Sequence, residues 1–427
     1  MNVIITPRRL NGSVVVPSSK SIGHRDLICA ALAPGESIVD NISISQDIEA
    51  TCRLLRQFGA SIEAIPSAYE GRTAYRIRGG LTKQEEMLHV DCGESGSTLR
   101  FLIPAGLYSG NTVVYTGQGQ LVKRPLNPYY RIFDEYNISY EPTKGGLPLT
   151  VSGSLRPGRY ELAGDVSSQF FSGLLFVLPL LDGDSVLEST TALESLSYVT
   201  MTLDCMAQHG VHVRWDGRRT FYIPGNQQYR AGTYAVEGDY SQAAFWLAAG
   251  VLGQPVECLG LRRSSSQGDE VIISILQHMG AAIQCGERML ASPSSLSGQE
   301  INVEDCPDLV PILAVAASCG HGTTHITHAA RVRLKECDRL HAIATELNAL
   351  GAHIEEEPDG LIIHGVGSLA GGRVSGWNDH RIAMALAVAS QRCSGELIIE
   401  GAECVRKSYP AFWQDFARLG GVYRTEE

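Results

Sequence analysis

Residues 53–64, RLLRQFGASIEA, show the local pattern from which the fold can be predicted: an amphipathic helix ends at a glycine, and β-prone residues follow. The same pattern returns in RIFDEYNISYE (131–141), DCMAQHGVHVRW (204–215), ILQHMGAAIQC (275–285), ELNALGAHIEE (346–356) and DFARLGGVYR (415–424). The residues just past the six helices are Gly59, Asn137, Gly210, Gly280, Gly351 and Gly420. Glycine, and less often asparagine, takes the left-handed conformation after a helix at little cost.

The spacing of these six residues separates a repeat from a coincidence. Helix, glycine and strand follow one another in any α/β protein, so one or two copies would carry no information. Here the six residues are 69 to 78 positions apart along the whole chain. Near-constant spacing over six copies predicts an α/β protein built from internal repeats.

Six repeats of this size predict two domains of three repeats each. The stretch QQYRAG (227–232) follows the third repeat and is the expected crossover between the domains. The predicted N-terminal domain is therefore 18–232, and the C-terminal domain contains 233–427. The first strand, residues 3–6, precedes the first repeat, and the sequence alone allows it to pair with either domain.

The composition favours an enzyme of the cytoplasm over a nucleic-acid or membrane protein. A net charge of −11 argues against non-specific binding to nucleic acid. The chain lacks an apolar run of about 18 residues, which a membrane helix needs, and its first residues do not form a signal peptide. Its 11 cysteines are odd in number and form no CxxC pair, so we expect reduced, mostly buried thiols.

Three segments place small hydroxyl residues or glycine just before a probable helix: PSSKSIGHR (17–25), GESGSTLR (93–100) and DVSSQF (165–170). The start of a helix offers free N–H groups and the positive end of the helix dipole, which together bind anions. Serine is also a favoured N-cap, so one such segment alone would indicate only capping. Because two of the three carry lysine or arginine, we expect a site for several anions.

The second half of the chain adds further cations. RVRLKECDR (331–339) packs four cations and two acids into nine residues, NDHR (378–381) opens an Ala-rich helix, and RKSYP (406–410) precedes the last helix. On a helix, Lys335 and Arg339 would share a face, with Glu336 beside them. A salt-bridged surface helix would show the same charge run. The absence of a Walker A motif, and of GxGxxG between a strand and a helix, argues against ATP and dinucleotides.

These segments together resemble the 5-enolpyruvylshikimate-3-phosphate synthase family, from Pro17 to Pro410. The matching motifs, each weak alone but specific in this order, are KSxxxR (20–25), GxSGSTxR (93–100), KRP (123–125), SSQF (167–170), PDLVP (307–311), RxKExDR (333–339), NDHR (378–381) and KSYP (407–410). The resemblance implies a two-domain inside-out α/β barrel, in which each domain has three βαβαββ repeats with helices inside and sheets outside. It also implies that the first strand belongs to the second domain, which then combines 1–17 with 233–427.

The resemblance implies transfer of the enolpyruvyl group of phosphoenolpyruvate to the 5-hydroxyl of shikimate 3-phosphate, by addition and elimination through a tetrahedral intermediate. It implies a monomer that needs neither metal nor organic cofactor. The implied catalytic residues are Asp308 near the 5-hydroxyl, Glu336 as the acid at C3, and Lys20 assisting proton transfer. The implied ligands of shikimate 3-phosphate, mainly in the N-terminal domain, are Lys20, Ser21, Arg25, Ser167, Ser168, Gln169, Ser195, Asp308 and Lys335. The implied ligands of phosphoenolpyruvate are Lys20, Gly96, Arg124, Gln169, Arg339, Arg381 and Lys407, with Arg100 close by.

The sequence also departs from the family pattern and leaves alternatives. Glu94 stands where asparagine is common, and Leu196-Ser197 where Lys-Pro is usual. Gly96 is present, so we expect sensitivity to glyphosate. The related UDP-N-acetylglucosamine enolpyruvyl transferases use a Lys-Asn pair near the start and a Cys or Asp on a Gly-rich loop, whereas this chain has Lys20-Ser21 and no cysteine in 116–124. The alternative interpretation is that the chain is a non-catalytic binding paralogue of the family.

Four histidines, at positions 24, 321, 325 and 328, look suggestive but lack a coherent ligand set. We therefore expect them to be packing or surface residues.

Overall fold

A computed structural model describes residues 1–143 and 146–426. The chain divides into two compact units. The N-terminal unit is Ser18–Val236, and the C-terminal unit joins Met1–Pro17 to residues 237–426.

The strands of the described residues, numbered in chain order, are β1 (Asn2–Thr6), β2 (Gly12–Val15), β3 (Gly35–Ile42), β4 (Ser61–Pro66), β5 (Thr73–Gly79), β6 (Leu88–Asp91), β7 (Val113–Thr116), β8 (Ser139–Pro142), β9 (Leu149–Ser152), β10 (Arg159–Leu162), β11 (Ser185–Ser189), β12 (Arg214–Trp215), β13 (Thr220–Ile223), β14 (Thr233–Ala235), β15 (Val256–Leu259), β16 (Ala282–Cys285), β17 (Met289–Ser292), β18 (Glu300–Asn302), β19 (Thr323–Thr327), β20 (His353–Glu357), β21 (Gly360–His364), β22 (Gly372–Ser375), β23 (Leu397–Glu400) and β24 (Val422–Glu426).

The α-helices of the same residues are α1 (Lys20–Leu32), α2 (Gln46–Gln57), α3 (Gly96–Tyr108), α4 (Asn127–Tyr136), α5 (Ser168–Val177), α6 (Leu196–Gln208), α7 (Tyr240–Leu252), α8 (Ile272–His278), α9 (Val310–Ser318), α10 (Arg339–Ala349), α11 (His380–Ala389) and α12 (Phe412–Arg418).

Across residues 1–143 and 146–426, the strands form six sheets of four strands each. Every sheet contains one parallel pair followed by two antiparallel pairs. In the sheet β6-β7-β9-β8, the strands come from one uninterrupted stretch of chain, with α3 and α4 between them. This is a βαβαββ repeat, and the sheets β10-β11-β13-β12 and β18-β19-β21-β20 follow the same order.

The other three sheets borrow a strand from a distant part of the chain. β2 leads into α1 but pairs with β15 of the C-terminal unit, whereas β14 leads into α7 but pairs with β3 of the N-terminal unit. β1 lies between β23 and β24 and completes the last sheet, as the family resemblance implied. Because β14 belongs to the N-terminal unit, that unit ends at residue 236, and the predicted boundary at residue 232 was wrong for these four residues.

The six helix ends expected from the repeats are confirmed. The even-numbered helices end just before Gly59, Asn137, Gly210, Gly280, Gly351 and Gly420, and all six residues have positive φ angles, between 53° and 106°. A Cβ added to Gly351 would meet no atom within 4 Å. The need for glycine there is therefore conformational rather than steric.

The odd-numbered helices form the interior of each unit, and the sheets lie outside them. All nine residues of α9 and all ten of α11 are buried, while the outer strands alternate buried and exposed residues, as in β19. Five of these six inner helices begin at an N-cap whose side chain accepts a backbone N–H, namely Ser19, Ser95, Ser167, Asp239 and Asp379. The segments singled out in the sequence thus open the buried helices.

All 11 cysteines are free and nine are buried, as expected for reduced thiols. Within the described ranges, every helix is too short or too polar to cross a membrane.

Candidate functional site

In the N-terminal unit, Gly96 lies against two guanidinium groups and an amide. A Cβ added to Gly96 would lie 2.7 Å from Arg124 Nη1, 3.4 Å from Gln169 Oε1 and 3.6 Å from Arg100 Nη1. Arg100 Nη1 donates to Gln169 Oε1 at 2.8 Å, and Gln169 Nε2 donates to Ser97 Oγ at 3.0 Å. Gln169 therefore links the starts of α3 and α5. Two guanidinium groups beside a bare helix start are suited to binding an anion.

Lys20 is the first residue of α1, and its position is held by an acid that the sequence analysis missed. Lys20 Nζ lies 2.8 Å from Asp47 Oδ2, in the first turn of α2. Both side chains are largely buried, at 18% and 14% exposure. The pair fixes the ammonium group in place. The one signal for Asp47 in the sequence is its place just after a serine that can cap a helix.

Arg25 is a buried cation braced mainly by neutral groups of α1 and α6. Its Nε donates to Thr202 Oγ1 at 2.8 Å, Nη1 to the Ser21 carbonyl at 2.7 Å, and Nη2 to the Tyr198 carbonyl at 2.9 Å. The guanidinium also lies 5.1 Å from the centre of the Phe101 ring. Burial lowers the pKa of Arg25. A bound anion nearby would offset the cost of burying this charge.

The serines predicted to bind substrate stand at helix starts of the same unit. Ser167 caps α5 and Ser168 is its first residue. Ser195 caps α6 in a left-handed conformation, with φ of 51°, and is buried. Tyr198, in the first turn of α6, supplies the carbonyl that accepts from Arg25. Ser195 and Arg25 are therefore anchored to the same helix start.

The unusual Glu94 packs on the turn that leads to Arg124. A Cβ added to Gly119 would lie 2.6 Å from Glu94 Oε2, and Gly119 opens the turn Gly119–Lys123. Glu94 therefore lies beside the turn that precedes Arg124.

In the C-terminal unit, three cations converge on Asp308, in the turn before α9. Asp308 Oδ1 lies 2.8 Å from Arg339 Nη1 and 3.3 Å from Lys335 Nζ, and Oδ2 lies 2.9 Å from Arg381 Nη2. Burial would raise the pKa of Asp308, but Arg381, Lys335 and Arg339 outweigh it and hold that pKa well below its usual value. Asp308 is therefore ionised at neutral pH.

Arg339 is the centre of this network, with a side chain only 1% exposed. Besides Asp308, its Nη2 donates to Glu336 Oε2 at 2.6 Å, and its Nε donates to Asp379 Oδ2 at 2.7 Å. Burial opposes its charge, but Asp379, Glu336 and Asp308 raise the pKa of Arg339 well above its ordinary value. We call Asp308, Glu336, Arg339 and Asp379 the arginine hub. The planar guanidinium group of Arg339, which has five N–H donors, holds the three carboxylates in fixed positions.

The expectation that Lys335 and Arg339 share a helix face was wrong. Ala330–Leu334 form a 3₁₀ turn, Lys335 is extended with ψ of −151°, and α10 begins only at Arg339. Both side chains nevertheless contact Asp308 Oδ1, because the chain bends between them.

The other arginines of this charge run have structural partners. Arg333 Nη1 lies 2.8 Å from Asp338 Oδ2 and 2.6 Å from Glu356 Oε1, and Arg331 Nη2 donates to the Glu304 carbonyl at 3.1 Å. Arg331 and Arg333 are therefore paired with neighbouring groups, but they lie in a 3₁₀ turn and not on a surface helix.

Asp379 was missed because the NDHR motif was used only for Arg381. Asp379 is fully buried, caps α11 and accepts from the Arg381 backbone N–H at 2.8 Å. Beside it, Trp377 and Asn378 both have left-handed backbones, with φ of 52° and 50°. The Asn378 carbonyl accepts from Lys407 Nζ at 2.7 Å, which places Lys407 next to the hub. Consecutive non-glycine residues in this conformation mark a strained, positioned segment.

A further buried acid, Asp269, lies within electrostatic range of Asp308. Ser241 Oγ donates to its Oδ2, while its buried Oδ1 has no hydrogen-bond partner among the described residues. Burial first, and then the charge of Asp308, raise the pKa of Asp269 to about 7, although Arg381 opposes the shift. No signal in the sequence distinguishes Asp269 from any other loop aspartate.

The histidines behave as expected for packing and surface residues. His24 is buried, with Nδ1 2.8 Å from Thr51 Oγ1, and burial lowers its pKa well below the usual value, so it is neutral. His325 pairs with Glu357 at 2.8 Å, while His321 and His328 are exposed.

Comparisons with known proteins cover nearly the whole chain. The family profile of EPSP synthase (3-phosphoshikimate 1-carboxyvinyltransferase) matches residues 4–416. The 3-phosphoshikimate 1-carboxyvinyltransferase of Clostridium kluyveri is 51% identical over 420 residues, which cover 98% of this chain and 97% of that protein. The enzyme of the same name from Clostridium acetobutylicum is 50% identical over 424 residues, covering 99% and 98%.

Solved structures give the same result. The EPSP synthase of Acinetobacter baumannii has a TM-score of 0.82 at 27% identity and covers 100% of both chains. The enolpyruvyl transferase NikO of Streptomyces tendae has a TM-score of 0.79 at 18% identity, over 99% and 98% of the chains, and this likeness supports the fold alone. From the full-length matches, this chain belongs to the EPSP synthase (3-phosphoshikimate 1-carboxyvinyltransferase) family of transferases.

Proposed function

We propose that the protein transfers the enolpyruvyl group of phosphoenolpyruvate to the 5-hydroxyl of shikimate 3-phosphate and releases phosphate, in the pathway to chorismate and the aromatic amino acids. The main support is the concentration of buried cations around Asp308 and beside Gly96, in a chain whose net charge is −11. Each substrate carries a phosphate and a carboxylate. Arginine forks are suited to both groups.

The proposed ligands are those that the family resemblance implies, and the donor type and position of most of them support the assignment. Shikimate 3-phosphate is bound by hydroxyl donors at helix starts and by the cations of their first turns, and its ligands are Lys20, Ser21, Arg25, Ser167, Ser168, Gln169, Ser195, Asp308 and Lys335. Phosphoenolpyruvate is bound by guanidinium and ammonium groups, and its ligands are Lys20, Gly96, Arg124, Gln169, Arg339, Arg381 and Lys407. Arg100 holds Gln169 in place through its 2.8 Å hydrogen bond.

In the addition step, the 5-hydroxyl oxygen bonds to C2 of phosphoenolpyruvate, and C3 gains a proton. Asp308 is ionised, so it accepts the hydrogen bond of the 5-hydroxyl and orients its oxygen toward C2. A carboxylate with so low a pKa is a weak base, but the hydroxyl becomes strongly acidic as its oxygen bonds to C2, so the proton passes to Asp308 at that point. Lys20 assists this transfer as an ammonium group. The product is a tetrahedral ketal phosphate.

Glu336 serves C3 in both steps. It donates a proton to C3 during addition and takes one back during elimination, as the bond between C2 and the phosphate oxygen breaks. Its partner Arg339 divides one positive charge among three carboxylates.

The experiment is phosphate release from phosphoenolpyruvate with shikimate 3-phosphate as acceptor, and with UDP-N-acetylglucosamine as the control acceptor. We expect release with shikimate 3-phosphate alone and a loss of about 10²- to 10⁴-fold in kcat for Glu336→Gln. Glu356→Gln is the matched control, because Glu356 pairs with Arg333 at a part-exposed position outside the hub.

Two outcomes would redirect the proposal. Release with UDP-N-acetylglucosamine would support the related sugar-nucleotide transferase instead. Release with neither acceptor, from a protein that still binds shikimate 3-phosphate, would support the non-catalytic paralogue.

We further propose that the protein acts as a monomer in the cytoplasm. Sedimentation equilibrium with and without both substrates tests the oligomeric state, and a dimer mass would contradict the proposal. Cell fractionation tests the location.

A further inference from the structure

The outer face of the sheet β18-β19-β21-β20 carries a second chemically distinct cluster. His353 on β20 is the direct cross-strand neighbour of His364 on β21. Glu355 follows two residues after His353, so the strand alternation places it on the same face. None of these three residues is a proposed substrate ligand.

The donor atoms of the three side chains already lie close together. Glu355 Oε1 lies 3.4 Å from His364 Nε2 and 4.0 Å from His353 Nε2. One ligand atom from each residue lies within 4.8 Å of the other two. Donors bound to one zinc ion at about 2.0 Å in tetrahedral geometry lie about 3.3 Å apart. The pair Glu355 and His364 already has this separation, and a small rotation of the exposed His353 ring brings in the third donor.

A neighbouring hydroxyl can accept from Nδ1–H of His364, which leaves Nε2 free to bind a metal. Thr323 Oγ1, on the adjacent strand β19, lies 3.0 Å from His364 Nδ1. With Nδ1 occupied by Thr323, the Nε2 atom is directed toward Glu355. A hydrogen bond to the second ring nitrogen orients the imidazole at metal sites.

We propose that His353, Glu355 and His364 bind a Zn²⁺ ion, with water in the fourth position. Two imidazoles and one carboxylate are zinc ligands of ordinary type and number for a site that keeps one open position. The three ligands stand on neighbouring strands of one hairpin, so their backbone spacing is set by the sheet register rather than by a loop. The bound ion cross-links β20 and β21 and stabilises the folded C-terminal unit, because the unfolded chain does not hold the ligands together.

The same face provides a matched control. His325 on β19 pairs with Glu357 of β20 at 2.8 Å and is similarly part-exposed, but it does not belong to the trio. His325→Gln therefore removes an imidazole from the same sheet without touching the proposed ligands. Cys285 is an exposed thiol that could bind zinc elsewhere, so the test uses a Cys285→Ser background.

The test is calorimetric titration of ZnCl₂ into untagged full-length protein that has been treated with chelator and dialysed. We expect one ion per chain, loss of that binding in the double variant His353→Gln with His364→Gln, and retention in His325→Gln. Thr323→Val should weaken binding by about tenfold, since it removes only the hydrogen bond that orients His364. Zinc should also raise the unfolding temperature of the parent and not that of the double variant.

X-ray absorption at the zinc edge gives an independent result. The proposed site predicts a shell of nitrogen and oxygen at about 2.0 Å and no sulfur shell at about 2.3 Å. Equal zinc binding by the double variant, equal loss of binding in His325→Gln, or a sulfur shell would each overturn the proposal and would indicate an adventitious ion only.

Discussion

Asp269→Asn should make the stability of the protein less dependent on pH. Asp269 is buried beside Asp308, and burial raises its pKa from an ordinary 3.8 to about 7. Because this pKa is higher in the folded than in the unfolded chain, the protonated carboxyl contributes stability that is complete below pH 3.8 and is lost as the pH rises to 7. Above about pH 7, further ionisation of Asp269 changes the free energy of unfolding very little.

The size of the effect follows from the pKa difference. One pKa unit corresponds to about 1.4 kcal/mol, so ionising Asp269 in the fold costs about 4 kcal/mol more than ionising it in the unfolded chain. Between about pH 5 and about pH 8, the wild type should lose about 2.5 kcal/mol of unfolding free energy relative to Asp269→Asn, because part of the loss already occurs below about pH 5. The amide also changes the hydrogen bond with Ser241, but that change is independent of pH and cancels when the two pH values are compared.

The assay is urea unfolding of both proteins at about pH 5 and about pH 8, where the full difference applies. Tryptophan fluorescence reports mainly on the unit that contains Asp269, because Trp246, Trp377 and Trp413 belong to that unit and only Trp215 does not. Ser241→Ala is the companion variant. It removes a hydroxyl that favours the ionised carboxylate, so its loss of stability should extend to higher pH. An equal stability difference between wild type and Asp269→Asn at both pH values would refute the reasoning.

Three further outcomes follow from single contacts. Arg339→Met should cost about 3 to 5 kcal/mol of unfolding free energy, because it leaves buried carboxylates unpaired. Arg424→Met, at the exposed pair with Glu396, should cost less than about 1 kcal/mol in the same urea assay. In Gly96→Ala, the added Cβ would lie 2.7 Å from Arg124 Nη1 and force that side chain away. Steady-state kinetics should show kcat/KM for phosphoenolpyruvate lowered by about 10- to 100-fold, together with weaker inhibition by glyphosate. Unchanged kcat/KM and unchanged inhibition would contradict the assigned contact. Gly351→Ala should lower stability by about 1 to 2 kcal/mol through its left-handed backbone alone, and a thermal midpoint equal to that of the wild type would count against a conformational role.

The sequence predicted some residues of the candidate site and missed others. The motifs placed Asp308, Glu336 and Arg339 among the candidates, and the structure brings these three side chains together. The helical spacing used to connect Lys335 with Arg339 was wrong, because the chain bends before α10. Asp379 was missed although its motif was recognised, since an aspartate before a helix has the same local appearance whether it caps that helix alone or also holds a buried arginine.

The elements that depend only on neighbouring residues were predictable from the sequence. The six helix ends were predictable because a left-handed residue after a helix is a local backbone requirement, and it is met at all six positions. The starts of the inner helices were predictable because an N-cap interacts with the next three residues.

The pairing of distant strands and the proximity of distant charges can be seen in the folded protein alone. β2 and β14 exchange sheets, and β1 joins a sheet whose other strands lie almost a full chain length away. Strand pairing of this kind depends on which surfaces are buried together, and no local pattern records the partner. The pKa of Asp269 has the same origin, because it depends on burial and on the charge of Asp308, which lies far from it in the sequence and close to it only in the fold.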